Sequence, residues 1–313
     1  MAERRTTAGA RRRPGRTASD ERVADLVGSP ATSRRARAMA DRTTTPTRPV
    51  ILGILNVTPD SFSDGGSHDD AASAIEFGVH LAESGADIID VGGESTRPGA
   101  GRITVADELA RITPVVRELV DRGIPVSIDT MNAATAEVAV GLGAVIVNDV
   151  SGGTADADMA RVVADTGVLF VAMHSRGTSE TMASLTDYAD PVYDVLAELE
   201  HRVSALLARG VTPAQIIVDP GIGFAKTAEQ NWKLLGSLTE LAQLGHPLLV
   251  GASRKKFLAE LLPTGAKPRK RDAATSIISA LSADAGVWGL RVHDVAGTKA
   301  ALDVWGAMRG VRE

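Results

Sequence analysis

The chain of 313 residues contains no cysteine, which excludes disulfides, thiolate metal centres and a cysteine nucleophile together. It also lacks any apolar run near the roughly 20 residues that a membrane-spanning helix needs. No apolar segment of the signal-peptide kind opens the N-terminus. A cytoplasmic protein with no membrane partner is therefore expected. Aromatic residues are scarce too, and none stands among the arginines of residues 1–48. Proteins that bind single-stranded nucleic acid interleave basic side chains with stacking rings, so a nucleic-acid partner is not expected.

What is present is divided unevenly. Residues 1–48 hold 12 Arg against 5 acidic residues, a surplus of +7, while the remainder holds 22 Lys and Arg against 34 Asp and Glu, or −12. An Arg-rich, Ala/Thr/Ser/Pro-rich segment without apolar periodicity reads as a disordered arm. Residues 49–313 then form one domain, and the 44% hydrophobic content of the chain is enough for a large core.

Short β-branched runs alternate with helical stretches along that domain: Val50–Leu55, Asp87–Val91, Val126–Ile128, Val145–Val147, Val168–Met173, Ile216–Val218, Leu248–Val250 and Leu290–Val292. Near-continuous apolar strands separated by helices indicate a parallel sheet covered on both faces. Eight such units in about 260 residues fit an α/β fold of one kind, a single (β/α)8 TIM barrel. The helices carry legible punctuation. In DPVYDVLAELEHRVSALLARG, Asp190 is an N-cap, Pro191 occupies the first turn, and Val192, Val195, Leu196, Leu199, Val203, Leu206 and Leu207 form an apolar stripe. The polar stretch 174–190 is long for a connection and reads as a mobile loop over a site.

In such a barrel the residues just after the strand C-termini share one mouth. Here they are Asn56; Gly93 to Arg97; Asp129; Asn148 and Asp149; His174; Asp219; Ser253, Arg254 and Lys255; and Arg291 with His293. Asp and Asn after strands also cap helices, and Asp149, before Val150-Ser151-Gly152-Gly153, suits that lesser role. Asp129 and Asp219 suit it less, because convergent carboxylates need partners to offset desolvation and repulsion. A flat ligand rich in N–H groups would supply them. Arg97, Lys255, Arg291 and His293 add a basic end, which implies phosphate on that ligand. Asn56 offers a side-chain oxygen for a Mg²⁺ ion bridging the phosphate.

The motifs ILGILNVTPDSFSDGG, DVGGESTRPGA, SIDT, NDVSGG, DPGIGFAKT, GASRKKF and RVHDV occur in that order. From about Ile51 to Trp305 the chain resembles the dihydropteroate synthase family of pterin-binding TIM barrels. The resemblance implies condensation of 6-hydroxymethyl-7,8-dihydropterin diphosphate with p-aminobenzoate, giving 7,8-dihydropteroate and pyrophosphate in folate synthesis. It further implies that Asp129, Asn148, Asp219 and Lys255 hold the pterin, with Arg291 stacked on its face and Met173 packed beside it. Asn56, Arg97, Arg291 and His293 would handle the diphosphate and Mg²⁺. Phe62, Thr96, Pro98, Phe224, Ser253 and Lys255 would shape the aminobenzoate pocket.

Asn56, Asp64, Lys255 and Arg291 are the candidate catalytic set. Asp64 and Phe62 stand in a polar excursion with Pro59, Gly65 and Gly66, which reads as a lid. A carboxylate there would stabilise positive charge on the pterin methylene as pyrophosphate leaves. Two other readings share the barrel. A corrinoid-linked, pterin-dependent methyltransferase would have no diphosphate to require Arg291 and His293, and a non-catalytic pterin-binding paralogue would be expected to have a damaged first loop. Finally, RDAATSIISALSADAGVWG has apolar or small residues nearly all round, which predicts a homodimer through the last helices.

Overall fold

Eight short parallel strands carry out the expected pattern: β1 Val50–Asn56, β2 Ile88–Gly92, β3 Val126–Asp129, β4 Ile146–Asp149, β5 Leu169–Met173, β6 Ile216–Asp219, β7 Leu249–Val250 and β8 Gly289–Val292. The structure, a computed structural model, describes residues 47–58, 67–95 and 101–311, the side chains of 67–70 excepted. The strands pair in the order β6-β5-β4-β3-β2-β1-β8-β7, and a parallel bridge between Val218 and Leu248 joins β6 to β7. That bridge closes the barrel. β7 is the shortest strand; Pro247 before it has no N–H to donate, although its carbonyl accepts from Val218 N at 2.9 Å.

The helices of eight residues or more that follow the strands are α1 Ser67–Glu83, α2 Val105–Asp121, α3 Ala133–Leu142, α4 Met159–Thr166, α5 Pro191–Leu207, α6 Ala228–Gly236, α7 Asp272–Asp284 and α8 Val295–Arg309. Asp190 caps α5 as expected, accepting from the Val192 and Tyr193 N–H groups at 2.9 and 3.3 Å. Val195, Leu199, Val203 and Leu206 form its buried stripe, whereas Leu207 is 38% exposed and stands outside it. No helix among the described residues is long and apolar enough to cross a membrane.

Period-two alternation sorts the strand residues into two cores. Ile51, Leu55, Ile89, Val91, Ile128, Phe170 and Val218 face outward and pack beneath the helices. Leu52, Ile88, Ile146, Leu169, Val171, Ile217 and Leu249 face inward and fill the barrel floor with Trp288. The inward positions that come next toward the strand C-termini are Asp90, Ser127, Asn148 and Arg291, then Asn56, Asp129, Met173 and Asp219. Apolar filling therefore gives way to polar groups partway up the barrel.

Two segments outside the strands and helices are anchored by side chains. Arg48, the last residue of the expected arm, donates to Asp87 at 2.8 Å, and Asp87 also accepts from Ile51 N at 2.9 Å at the start of β1. The stretch 174–190, expected as a mobile loop, is instead tied down. Arg176 is ion-paired to Glu198 of α5 and stacks 3.7 Å from the centre of the Tyr188 ring, Gln230 of α6 donates to the Thr186 carbonyl at 2.9 Å, and Met182 is buried. The tethers reach more than one element, so the loop has little freedom to swing as one piece.

Candidate active site

Arg291 on β8 points into the barrel between two carboxylates. Its Nε donates to Asp90 Oδ2 at 2.6 Å and a terminal nitrogen donates to Asp129 Oδ2 at 2.7 Å. Asn148 also donates to Asp90 Oδ2, at 3.2 Å. Asp90 is fully buried, and Asp129 and Asn148 nearly so. Buried charges survive only when paired, and a planar guanidinium with several donors is suited to pairing two carboxylates. Burial opposes the charge on Arg291, but Asp90 and Asp129 outweigh it and hold the guanidinium firmly protonated.

The carboxylates register the same conflict from the other side. Burial raises Asp129 well above the usual carboxylate range; Arg291 opposes the rise, while Asp90 and Asp149 add to it. Asp219, on β6, is pushed up to about 6 by burial against the pull of the Gly221 N–H and Lys255. Burial also brings Lys255 down to about 8, with Arg291 adding to the fall and Asp219 and Asp129 opposing it. The Lys255 ammonium lies 3.8 Å from the centre of the Phe224 ring, within cation–π range.

A cleft of about 1160 Å³ opens above these groups, lined by Asn56, Phe224, Ser253, Lys255, Arg291 and His293 among others. Ser253 Oγ accepts the His293 backbone N–H at 3.1 Å and lies 3.0 Å from Nδ1. The Asn56 carboxamide, half-buried at the end of β1, has no hydrogen-bond partner among the described residues. Met173 is buried at the inward end of β5.

The sequence-predicted residues thus fall into groups. Asp129, Asn148, Asp219, Met173, Lys255 and Arg291 meet in the upper barrel, and Asn56, Phe224, Ser253 and His293 line the cleft with Lys255 and Arg291. Phe62, Asp64, Thr96, Arg97 and Pro98 lie outside the described residues. Asp149 faces outward and caps the next turn, accepting from Ser151 N at 2.7 Å and Gly153 N at 3.1 Å. Arg254, between Ser253 and Lys255, adopts φ +56° and is engaged by Asp272 through two contacts of 2.7 Å.

Three residues escape a reading of the sequence. Asp90 is the principal partner of Arg291, and its inward register with Ile88 and Gly92 is the available signal. Lys226 and Glu198 flank His174 behind the mouth, with Nζ 2.9 Å from Nδ1 and Oε2 2.9 Å from Nε2. Neither gives a sequence signal, because the contact spans 52 residues in one case and 24 in the other.

Chemically, the described residues of the mouth include hydrogen-bond acceptors on Asp129, Asn148 and Asp219, the Lys255 ammonium, the Arg291 guanidinium and the His293 imidazole. That set complements a planar heterocycle with several N–H groups and an anionic tail. Comparison with known proteins agrees. Residues 52–293 match the family described as pterin binding enzyme. The chain is 51% identical over 263 residues to a dihydropteroate synthase of Mycobacterium leprae, covering 82% of this chain and 92% of that protein. It is similar to the solved structure of Xanthomonas albilineans dihydropteroate synthase with 4-aminobenzoic acid, at 41% identity and a TM-score of 0.79 over 85% of this chain and 94% of that one. The same enzyme in complex with 7,8-dihydropteroate matches at 39% identity and a TM-score of 0.76, over 85% and 95% of the two chains. With a family match across most of the barrel and a relative half identical over nearly its whole length, the chain belongs to the pterin binding enzymes, in the dihydropteroate synthase family.

Proposed function

We propose that this chain condenses 6-hydroxymethyl-7,8-dihydropterin diphosphate with p-aminobenzoate, forming 7,8-dihydropteroate and releasing pyrophosphate. The observation that carries the reading is the convergence of Asp129, Asn148 and Asp219 with Lys255 and Arg291 in one barrel mouth. Asp219 accepts from the pterin amino group and ring N–H, Lys255 donates to its carbonyl oxygen, and Arg291 lies against the ring face. Asn56, Arg97, Arg291 and His293 receive the diphosphate. Thr96, Pro98, Phe62, Phe224, Ser253 and Lys255 enclose the aromatic amine.

Asn56 also fits a Mg²⁺ ligand. Mg²⁺ keeps most of its waters and takes only one or two protein oxygens beside substrate phosphates, and the Asn56 carboxamide offers a single oxygen at the cleft that no other described residue engages. A metal ion there would neutralise the departing pyrophosphate. Departure leaves positive charge on the pterin methylene, and the amine nitrogen then forms the new C–N bond and loses a proton. Formation of 7,8-dihydropteroate together with pyrophosphate from both substrates is the decisive assay, and pyrophosphate release that p-aminobenzoate neither accelerates nor converts into dihydropteroate would contradict the synthase reading.

Asp64 is assigned to the methylene cation. Asp64→Asn is expected to lower turnover about 10²-fold, the scale of one lost preorganised contact to transition-state charge, with pterin diphosphate affinity nearly unchanged. Calorimetry with steady-state kinetics checks this, and turnover within a few-fold of the parent would remove Asp64 from the mechanism.

The active unit is proposed to be a homodimer through α7 and α8. Ile277 and Leu281 on α7 are 62% and 66% exposed, and Val304 and Met308 on the adjoining α8 are 61% and 82% exposed. Large apolar side chains gathered on two packed helices mark an interface. The parent should sediment as a dimer at micromolar concentration, and Leu281→Glu, which puts a charge into the face, should sediment as a monomer. A monomeric parent would overturn the assignment.

A further inference from the structure

Lys226 belongs to none of the groups assigned to substrate, although its ammonium is fully occupied. Nζ donates to the Gly221 carbonyl at 3.0 Å, to the Phe224 carbonyl at 3.0 Å and to His174 Nδ1 at 2.9 Å. Three acceptors surround this one nitrogen, which burial brings down to about 7 against the attraction of Asp219 and Glu198. His174, fully buried at the end of β5, presents that Nδ1 lone pair because its other nitrogen is engaged by Glu198 at 2.9 Å. Burial holds the imidazole neutral, lowering it to about 4 against the Glu198 hydrogen bond, so Nε2 carries the proton and Nδ1 accepts.

The segment held in this way is backbone under strain. Gly221 and Gly223 have φ of +67° and +81°, and Ala225, which carries a Cβ, has φ +48°. A Cβ at Gly221 would stand 1.8 Å from the His174 carbonyl oxygen, and one at Gly223 would stand 2.8 Å from Lys255 Cδ. The turn is therefore wedged between His174 on one side and the Lys255 stem on the other. It ends in Phe224, whose ring faces the Lys255 ammonium. A left-handed alanine persists only where its surroundings over-determine it, and the Lys226 tripod fastens both ends of the turn.

We infer that Lys226, oriented by His174 and Glu198, is a positioning residue for the aromatic-amine substrate, acting through the turn that carries Phe224. The inference rests on the proposed synthase activity. Lys226 touches no substrate itself. Lys226 also attracts Asp219, and Gly221 N donates to Asp219 Oδ1 at 2.7 Å, but Asp219 is fixed on β6 and drawn by Lys255 as well. The Phe224 carbonyl, in contrast, has Lys226 as its donor, so the amine pocket depends on Lys226 more than the pterin contacts do.

The test separates the two substrates. Lys226→Met leaves the Gly221 and Phe224 carbonyls without their donor; the KM for p-aminobenzoate is expected to rise about tenfold or more, the consequence of losing a charged hydrogen bond. Pterin diphosphate affinity, read by calorimetry, should stay within about threefold. Ethylammonium added to Lys226→Ala should restore part of the aminobenzoate KM, which a general loss of folded protein would not permit. Should Lys226→Met fail to fold, Glu198→Gln provides the same split. Glu198 is 36% exposed at its side chain, and its amide no longer dictates the His174 tautomer. An unchanged aminobenzoate KM, or equal changes for both substrates, overturns the positioning role. A parent chain that releases no pyrophosphate overturns the synthase reading instead.

Discussion

Arg291→Met is expected to destabilise the barrel by about 3–5 kcal/mol and to abolish measurable synthesis. The first effect arises from what Arg291 leaves behind. Removing one partner of a buried ion pair strands the other charge, and the penalty is of that size. Here two carboxylates are stranded, Asp90 and Asp129, both bonded to the one guanidinium. Methionine keeps the bulk of the side chain, so packing alone would predict a much smaller loss.

The pH dependence distinguishes electrostatics from packing. Asp129 already has a folded-state value above its ordinary one, because burial outweighs Arg291. The stability linked to a group raised in this way is present below its unfolded value and is lost as pH rises through the folded value. Without Arg291 that loss deepens. Denaturant titrations at pH 8 and pH 5.5 should show the gap between variant and parent narrowing at the lower pH, where Asp129 takes up a proton in the folded state. A variant as stable as the parent at pH 8 would mean that the barrel does not depend on this ion triad.

The scaffold is legible in the sequence because its signal is local. Ile51 and Leu55 out, Leu52 and Ile54 in, is a two-residue rhythm that any window of the chain displays, and it carries Asn56 to the mouth by counting alone. The same counting brings Asp129, Asn148 and Asp219 there. It would also bring Asp90, but IIDVGG reads as strand interior, and the partner that gives Asp90 its role lies 201 residues away. Lys226 is a sharper case. Beside Thr227, which opens α6 with a capping box, it looks like a surface lysine at a helix start. Its three acceptors become visible only when β5 and β6 stand side by side and His174 meets the turn after Asp219. The stretch 174–190 reads as free for a similar reason, since Glu198 looks like the wet face of an amphipathic helix until Arg176 folds back onto it.

One carboxylate of the mouth is expected to cost the fold stability. Asp219→Asn should make the ligand-free protein more stable at pH 8 while reducing pterin diphosphate affinity about 10²-fold, the scale of losing a hydrogen bond to a charged acceptor. Asp219 is nearly fully buried, and its rise from 3.8 to about 6 means that ionising it in the folded protein at pH 8 costs about 3 kcal/mol. Asparagine has the same shape and retains an oxygen for the Gly221 N–H, now accepted at 2.7 Å. It carries no charge to desolvate. The value of about 6 already includes the pull of Lys255, so an increase of up to about 3 kcal/mol is expected, or several degrees in melting temperature for a chain of this size. The sign comes from the linkage: the Asp219 penalty is absent well below 3.8, where both folded and unfolded states hold the proton, and is nearly complete above about pH 6. Melting curves of parent and variant should therefore draw together as pH falls toward 4 and separate at pH 8, with the asparagine form higher. A less stable asparagine variant at pH 8 would show that Lys255 more than compensates the buried carboxylate, and that the site is no burden on the fold.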